Sequence, residues 1–211
     1  MIKFDNISIS YGKSCILKSF SAFIKSGEKT ILDGPSGSGK SSVLKSAVGF
    51  VRPSEGRVEV DGTEVNDKNI PKIRKKVCYI PQKITFDSDE TVFDFLSLPF
   101  SFKINSEIVP SREEMVRILS DFRLDADIMN KLMSELSGGQ VQRTGIARGI
   151  LLKRSIYLLD EITSNLDKKS MAAVFEVFDK MKDVTIVSVS HDADWVERFG
   201  RIIPLGESSP A

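Results

Sequence analysis

Eight consecutive residues, Gly34-Pro35-Ser36-Gly37-Ser38-Gly39-Lys40-Ser41, carry the densest chemistry in the chain. They match G-x-x-x-x-G-K-[ST], the phosphate-binding P-loop. Glycines at this spacing let the backbone turn tightly enough to aim several N–H groups at one phosphate chain. A helix that begins at Lys40 adds its positive N-terminal end. Lys40 would neutralise the β- and γ-phosphates, and the Ser41 hydroxyl would bind Mg²⁺. A Gly/Ser-rich turn can spell the same string by accident. Context argues against that here, because Thr30-Ile31-Leu32-Asp33 reads as a strand entering the loop and a helix leaves it.

Two more segments place polar groups at the ends of elements. Ile156-Tyr157-Leu158-Leu159-Asp160-Glu161 is an apolar strand closing on two carboxylates. A buried strand delivers Asp160 to the Mg²⁺ side of the phosphates. Glu161 points elsewhere and can accept a proton from an attacking water. A plain strand-end cap is the alternative, and it loses force beside a P-loop. Leu136-Ser137-Gly138-Gly139-Gln140 precedes Val141-Gln142-Arg143. Its two glycines free backbone N–H groups for an anion, and Ser137 adds a hydroxyl at a helix start. One chain needs no second phosphate cradle of its own; a cradle serving a partner's nucleotide makes sense. Gly145 and Gly149 each cost that helix about 1 kcal/mol relative to Ala, which points to close packing.

The elements that must hold these groups follow from patterning. From Ile2 to Asp33, short apolar runs broken at Tyr11-Gly12 and Ser26-Gly27 read as strands. Glu55 to Gly62 alternates like a half-buried strand. After about Thr91 the texture turns helical. Ser111-Arg112-Glu113-Glu114 fits a capping box, and Met115, Ile118, Leu119 and Phe122 follow at helical spacing. Strands return at Ile156–Leu159 and Val184–Val189. Between them a helix from Lys168 to Met181 puts Met171, Val174, Phe175 and Phe178 on one face. That order implies a parallel sheet covered by helices. The expected fold is a single α/β domain over residues 1–211 with a helical insert at about 83–150 and a frayed end at Ser208–Ala211.

Composition bounds the rest. The 211 residues hold 30 basic and 29 acidic side chains, 41% hydrophobic residues and one histidine. That is an ordinary globular composition. A net charge of +1 argues against a dedicated nucleic-acid binder. The uncharged run Phe95 to Phe102 falls far short of the roughly 18 apolar residues of a membrane span. Lys3, Asp5, Lys13 and Lys18 interrupt any signal-peptide core. Cys15 and Cys78 read as buried small hydrophobes in a reducing cytoplasm, and no zinc-site spacing occurs. Lys72, Arg74, Lys75 and Lys76 read as a solvated face, with a weaker alternative of anionic lipid contact.

The P-loop, the Leu136–Gln140 pentapeptide and the Asp160-Glu161 strand, in that order, resemble the ATP-binding cassette (ABC) ATPases over about Ile2 to Pro204. The pentapeptide is the specific signal, since a P-loop alone also fits kinases and GTPases. The resemblance implies a P-loop NTPase core with a mainly parallel sheet, an N-terminal antiparallel β subdomain and an inserted helical subdomain. It implies ATP and Mg²⁺ as ligands. Nucleotide contacts would come from Tyr11, stacking on adenine, from Gly34–Ser42 (Ser42 included), and from Ser137, Gly138, Gly139 and Gln140. Ser41, Asp160 and Gln82 would serve the metal. Glu161, His191 and Gln82 would serve catalysis, His191 as the switch histidine and Gln82 as the Q-loop glutamine. Ser164-Asn165-Leu166-Asp167 is similar to the D-loop that crosses the dimer interface. Departures are Ile162 for the usual proline, Ser190 for threonine and Asn165 for alanine; none removes a ligand group.

On that resemblance the chain is expected to be the ATPase subunit of a transporter. It would be cytoplasmic and peripheral to the membrane, pairing with a second copy and with membrane-spanning permease subunits. No nucleic-acid partner is expected. Glu161-Ile162-Thr163-Ser164 and Thr91–Pro99 are similar to small ATPases of iron-export-type systems. Thr91–Pro99 lies where the family holds a groove for a permease helix, with core packing as the alternative. Ending soon after His191, the chain is expected to lack the regulatory domain of many importers. Rival readings are the ATPase of an envelope machine and a soluble clamp. The interval from Gln82 to Leu136 is too short for the coiled coil of DNA-repair clamps.

Overall fold

The computed structural model describes residues 1–190 and 192–205. Its contacts divide into two compact units. The first holds Met1–Tyr79, Ser155–Glu161 and the described residues from Asp183 onward; the second holds Ile80–Arg154 and Ile162–Lys182.

In the first unit, β1 (Ile2–Tyr11) and β2 (Ser14–Ile24) form a hairpin, and Gly12 at its tip has φ +59°. β3 is Lys29–Asp33, β4 is Glu55–Val60 and β5 is Thr63–Glu64. One antiparallel sheet runs β2-β1-β4-β5. A bulge offsets β1 from β4 between Asp5 and Ser8. Gly56 is required there, since at φ +73° a side chain would strike the backbone of Asn6.

The second sheet adds β6 (Val77–Ile80), β7 (Ile156–Asp160), β8 (Thr185–Val189) and β9 (Arg201–Pro204), in the order β6-β7-β8-β3-β9. β7 with β8, β8 with β3 and β3 with β9 are parallel. Every residue of β7 and β8 is buried, the near-continuous apolar pattern of parallel strands. Val189 pairs with Leu32 on one side and Asp160 on the other. The carboxyl ends of β3 and β7 therefore share one sheet edge, where α/β sheets place their ligands. α1 (Lys40–Ala47) packs Val43, Leu44 and Ala47 into the core. α2 (Ile70–Arg74) buries Ile73.

The second unit carries α3 (Val92–Ser97), α4 (Arg112–Asp121), α5 (Gly138–Leu151) and α6 (Lys168–Lys180). Its span is wider than 83–150, because α6 packs with α5. Gly145 lies buried in α5 against Ile84, and a Cβ there would overlap the Ile84 side chain. α7 (Ala193–Arg198) belongs to the first unit and buries Trp195 against Phe199, rings stacked at 4.6 Å.

Two expectations need correction. Cys78 is buried but Cys15 is exposed; it stands near the hairpin tip, where Tyr11, Lys13 and Ser14 are exposed too. At α4, Ser111 accepts from the Glu114 N–H, yet the Glu114 carboxylate turns to Lys153 at 2.8 Å rather than back to Ser111. An available cation outcompetes a backbone N–H for a carboxylate. The basic run is a solvated face as expected: Lys72, Arg74 and Lys75 are exposed, Lys76 makes a surface ion pair with Asp61, and Arg74 lies over the Phe50 ring. Among the described residues no helix is long and apolar enough to cross a membrane.

Candidate functional site

The P-loop leaves β3 and ends in α1. Gly37 and Gly39 have φ +83° and +92°, left-handed values that a side chain disfavours. Gly34 has no room for one, since a Cβ would meet the Leu205 carbonyl. Gly39 caps α1 without a side-chain bond, so the first-turn N–H groups keep their capacity for an outside acceptor. Lys40 is 6% exposed and donates to the Gly34 carbonyl at 2.6 Å and the Pro35 carbonyl at 3.0 Å. Its ammonium is thus held inside the loop. The Ser38 hydroxyl is buried with no hydrogen-bond partner among the described residues. A buried unpaired hydroxyl in a loop of this shape fits a phosphate acceptor.

β7 brings the carboxylates. The Ser41 hydroxyl donates to Asp160 Oδ1 at 2.7 Å. The Tyr79 hydroxyl donates to Oδ2, also at 2.7 Å. Burial pushes the Tyr79 phenol up, and its bond to Asp160 pushes it further, beyond the ordinary tyrosine range. Glu161 follows at φ +49°, left-handed for a residue that is not glycine, with its N–H donating to the Val189 carbonyl at 3.0 Å. Such strain is characteristic of functional positions. Tyr11, Ile16, Ser36, Gly37, Gly39, Lys40, Ser41, Ser42 and Glu161 line one open cleft of about 330 Å³. Tyr11 is 52% exposed, and its hydroxyl lies 3.2 Å from that of Ser42.

The other predicted residues belong to the second unit. Ser137 caps α5: its hydroxyl accepts from the Gln140 N–H at 3.3 Å, and Gln140 Oε1 accepts from the Ser137 N–H at 2.9 Å. This reciprocal box was legible in Ser137-x-x-Gln140. Gly138 is exposed, and a Cβ there would meet nothing within 4 Å. Neither its own packing nor a positive φ asks for glycine there. Arg143 ties the helix start to its surroundings through the carbonyls of Gly139, Phe122 and Arg123. Gln82 is exposed on the segment after β6. His191 and Ser208–Ala211 lie outside the described residues. Sequence reasoning missed Tyr79, because nothing in the sequence places β6 beside β7. It also missed Asp167 as the α6 cap, accepting from the Ser170 N–H at 2.8 Å.

The sequence pattern of the family described as "ABC transporter" matches residues 17–164. The chain is 35% identical to the energy-coupling factor transporter ATP-binding protein EcfA1 of Ligilactobacillus salivarius, over 98% of this chain and 75% of that protein. It is 29% identical to the probable iron export ATP-binding protein FetA of Escherichia coli K12, over 97% and 91%. The fold superposes on the dimeric MJ0796 cassette, described as a bacterial ABC transporter cassette, with TM-score 0.87 and 32% identity, covering 97% of this chain and 94% of that one. The same values hold for the MJ0796 dimer in a post-hydrolysis state bound to ADP and Pi.

Proposed function

The chain belongs to the ABC transporter family as an ATP-hydrolysing, nucleotide-binding subunit, and from that premise we propose that two copies pair head-to-tail around ATP. Each nucleotide lies between Gly34–Ser42 of one copy and Ser137–Gln140 of the other. The observation that carries this reading is the joining of Ser41 to Asp160 beside the P-loop. Those two oxygens suit Mg²⁺, which takes one or two protein oxygens and completes its shell with phosphate and water. Bound there, the cation supplies positive charge to the β- and γ-phosphate oxygens.

Each residue then has a task. Tyr11 offers its exposed ring to adenine. Lys40 gives up its two loop carbonyls for phosphate oxygens. The first-turn N–H groups of α1 face the same anion. Glu161 accepts the proton of the attacking water as that water's oxygen bonds the γ-phosphorus and ADP leaves. The family resemblance would give Gln82 a role toward the cation and water, and His191 a role toward the γ-phosphate. Ser137 and Gly138 present backbone and hydroxyl donors to the partner copy's nucleotide. Closure on ATP and reopening after hydrolysis move a membrane-spanning permease, to which the subunit docks at the inner face of the cell membrane. Cargo choice belongs to that permease.

Glu161→Gln tests the assignment. It should bind ATP, dimerise with it on size-exclusion chromatography and lose turnover by about 10²-fold or more. Normal steady-state hydrolysis would sink the general-base role. Captured with ATP from detergent-solubilised membranes, the variant should bring a stoichiometric multi-span membrane protein. Recovery of soluble partners alone would overturn the permease assignment.

A further inference from the structure

Asp160 is 4% exposed, and both of its carboxylate oxygens are met by hydroxyl donors. The two donors differ in what cation binding asks of them. A hydroxyl that ligates a cation turns a lone pair toward it, so Ser41 must redirect. Tyr79 stands on β6 and has no such second duty. Its ring is fixed from its other side. Phe50 meets it edge-on, with centroids 5.8 Å apart and planes at 81°. The Arg74 guanidinium covers Phe50 at 4.7 Å from the ring centroid, and its Nε–H donates to the Val48 carbonyl.

We propose that Tyr79 is a positioning residue that pins Asp160 Oδ2 so that Oδ1 is presented to the divalent cation, and thereby sets the protein's cation affinity. The proposal rests on the reading of Asp160 as a cation ligand. Carboxylates that bind metals are oriented by outer hydrogen bonds, and losing one costs about 10–100-fold in metal affinity. A purely structural role for Tyr79, satisfying a buried carboxylate, predicts a general loss of stability instead.

Tyr79→Phe removes the hydroxyl and keeps the ring against Phe50. Mn²⁺ binding to the protein–ADP complex, read by electron paramagnetic resonance, should weaken by about tenfold. The Mg²⁺ needed for half-maximal turnover should rise in parallel, with kcat at saturating Mg²⁺ within about twofold of wild type. ADP affinity in EDTA should not change. Phe50→Leu keeps the hydroxyl but frees the ring, and should shift Mn²⁺ affinity less, in the same direction. An Mn²⁺ affinity unchanged in Tyr79→Phe would overturn the proposal. So would an equal loss of ADP affinity with and without metal. Asp160→Asn separates the two levels. If it too binds Mn²⁺ like wild type, the metal reading itself fails; if it alone loses Mn²⁺, only the role of Tyr79 fails.

Discussion

The Lys40 ammonium and the Gly34 carbonyl oxygen lie 2.6 Å apart, so the P-loop's cation is engaged by its own loop. On the proposed function, nucleotide binding would be an exchange, in which phosphate oxygens replace the Gly34 and Pro35 carbonyls. Lys40→Met should weaken both states. Charge-assisted hydrogen bonds contribute about 1.5–3 kcal/mol each, so ligand-free protein should melt several degrees lower. Turnover should fall by about 10²-fold or more. In thermal melts, ADP with Mg²⁺ should raise the Tm of the wild type and leave the variant almost unmoved. An equal ADP-induced rise in both would show that Lys40 does not reach phosphate.

Two glycines of α5 should behave oppositely. Gly138 is exposed with empty space where a Cβ would stand, whereas Gly145 abuts Ile84. Alanine is the better helix former by up to about 1 kcal/mol. Gly138→Ala should accordingly keep or raise the Tm, yet cut ATP-driven dimer formation and turnover by about tenfold, because its methyl blocks approach to the backbone. Gly145→Ala should lose about 1–3 kcal/mol through overpacking. Paired denaturation and ATPase assays check both. Full activity in Gly138→Ala would remove the pentapeptide from the nucleotide interface.

The P-loop and the Asp160-Glu161 pair were legible because their parts are neighbours in sequence and each sits at the end of one element. The parallel sheet was legible from the largely apolar runs of β7 and β8. What stayed hidden depends on through-space arrangement. Tyr79 meets Asp160 from 81 residues away, and strand order β6-β7 is not written in either strand. Glu161's left-handed backbone is imposed by the turn out of β7, not by any preference of glutamate. Cys15 follows the parity of a buried residue but stands beyond the core at a hairpin tip. The capping boxes traded places for a similar reason. Glu114 finds Lys153, a contact no local pattern predicts, while Gln140 carries no charge to be drawn away and folds back on Ser137.

Asp167 gives α6 a pH-sensitive start. The Ser170 N–H hydrogen bond, first of all, holds its carboxyl below the usual aspartate range; slight desolvation opposes this, while the Ser170 hydroxyl and the Arg143 charge add to it. A folded-state value below the unfolded one means that the unfolded chain binds more protons, so stability rises with pH across that window. The contribution is complete above the ordinary aspartate value of about 4 and is lost as pH falls through the lowered one. Asparagine caps helices about as well but does not titrate. Asp167→Asn should therefore melt slightly below wild type at pH 7, where it lacks the charge facing Arg143 and the helix start. As pH drops from about 5 to 3 both proteins weaken, and the difference between them should close. Melting curves across that range read it directly. A Tm difference that stays constant from neutral to acid would mean that the Asp167 carboxylate has no titrating role in the cap.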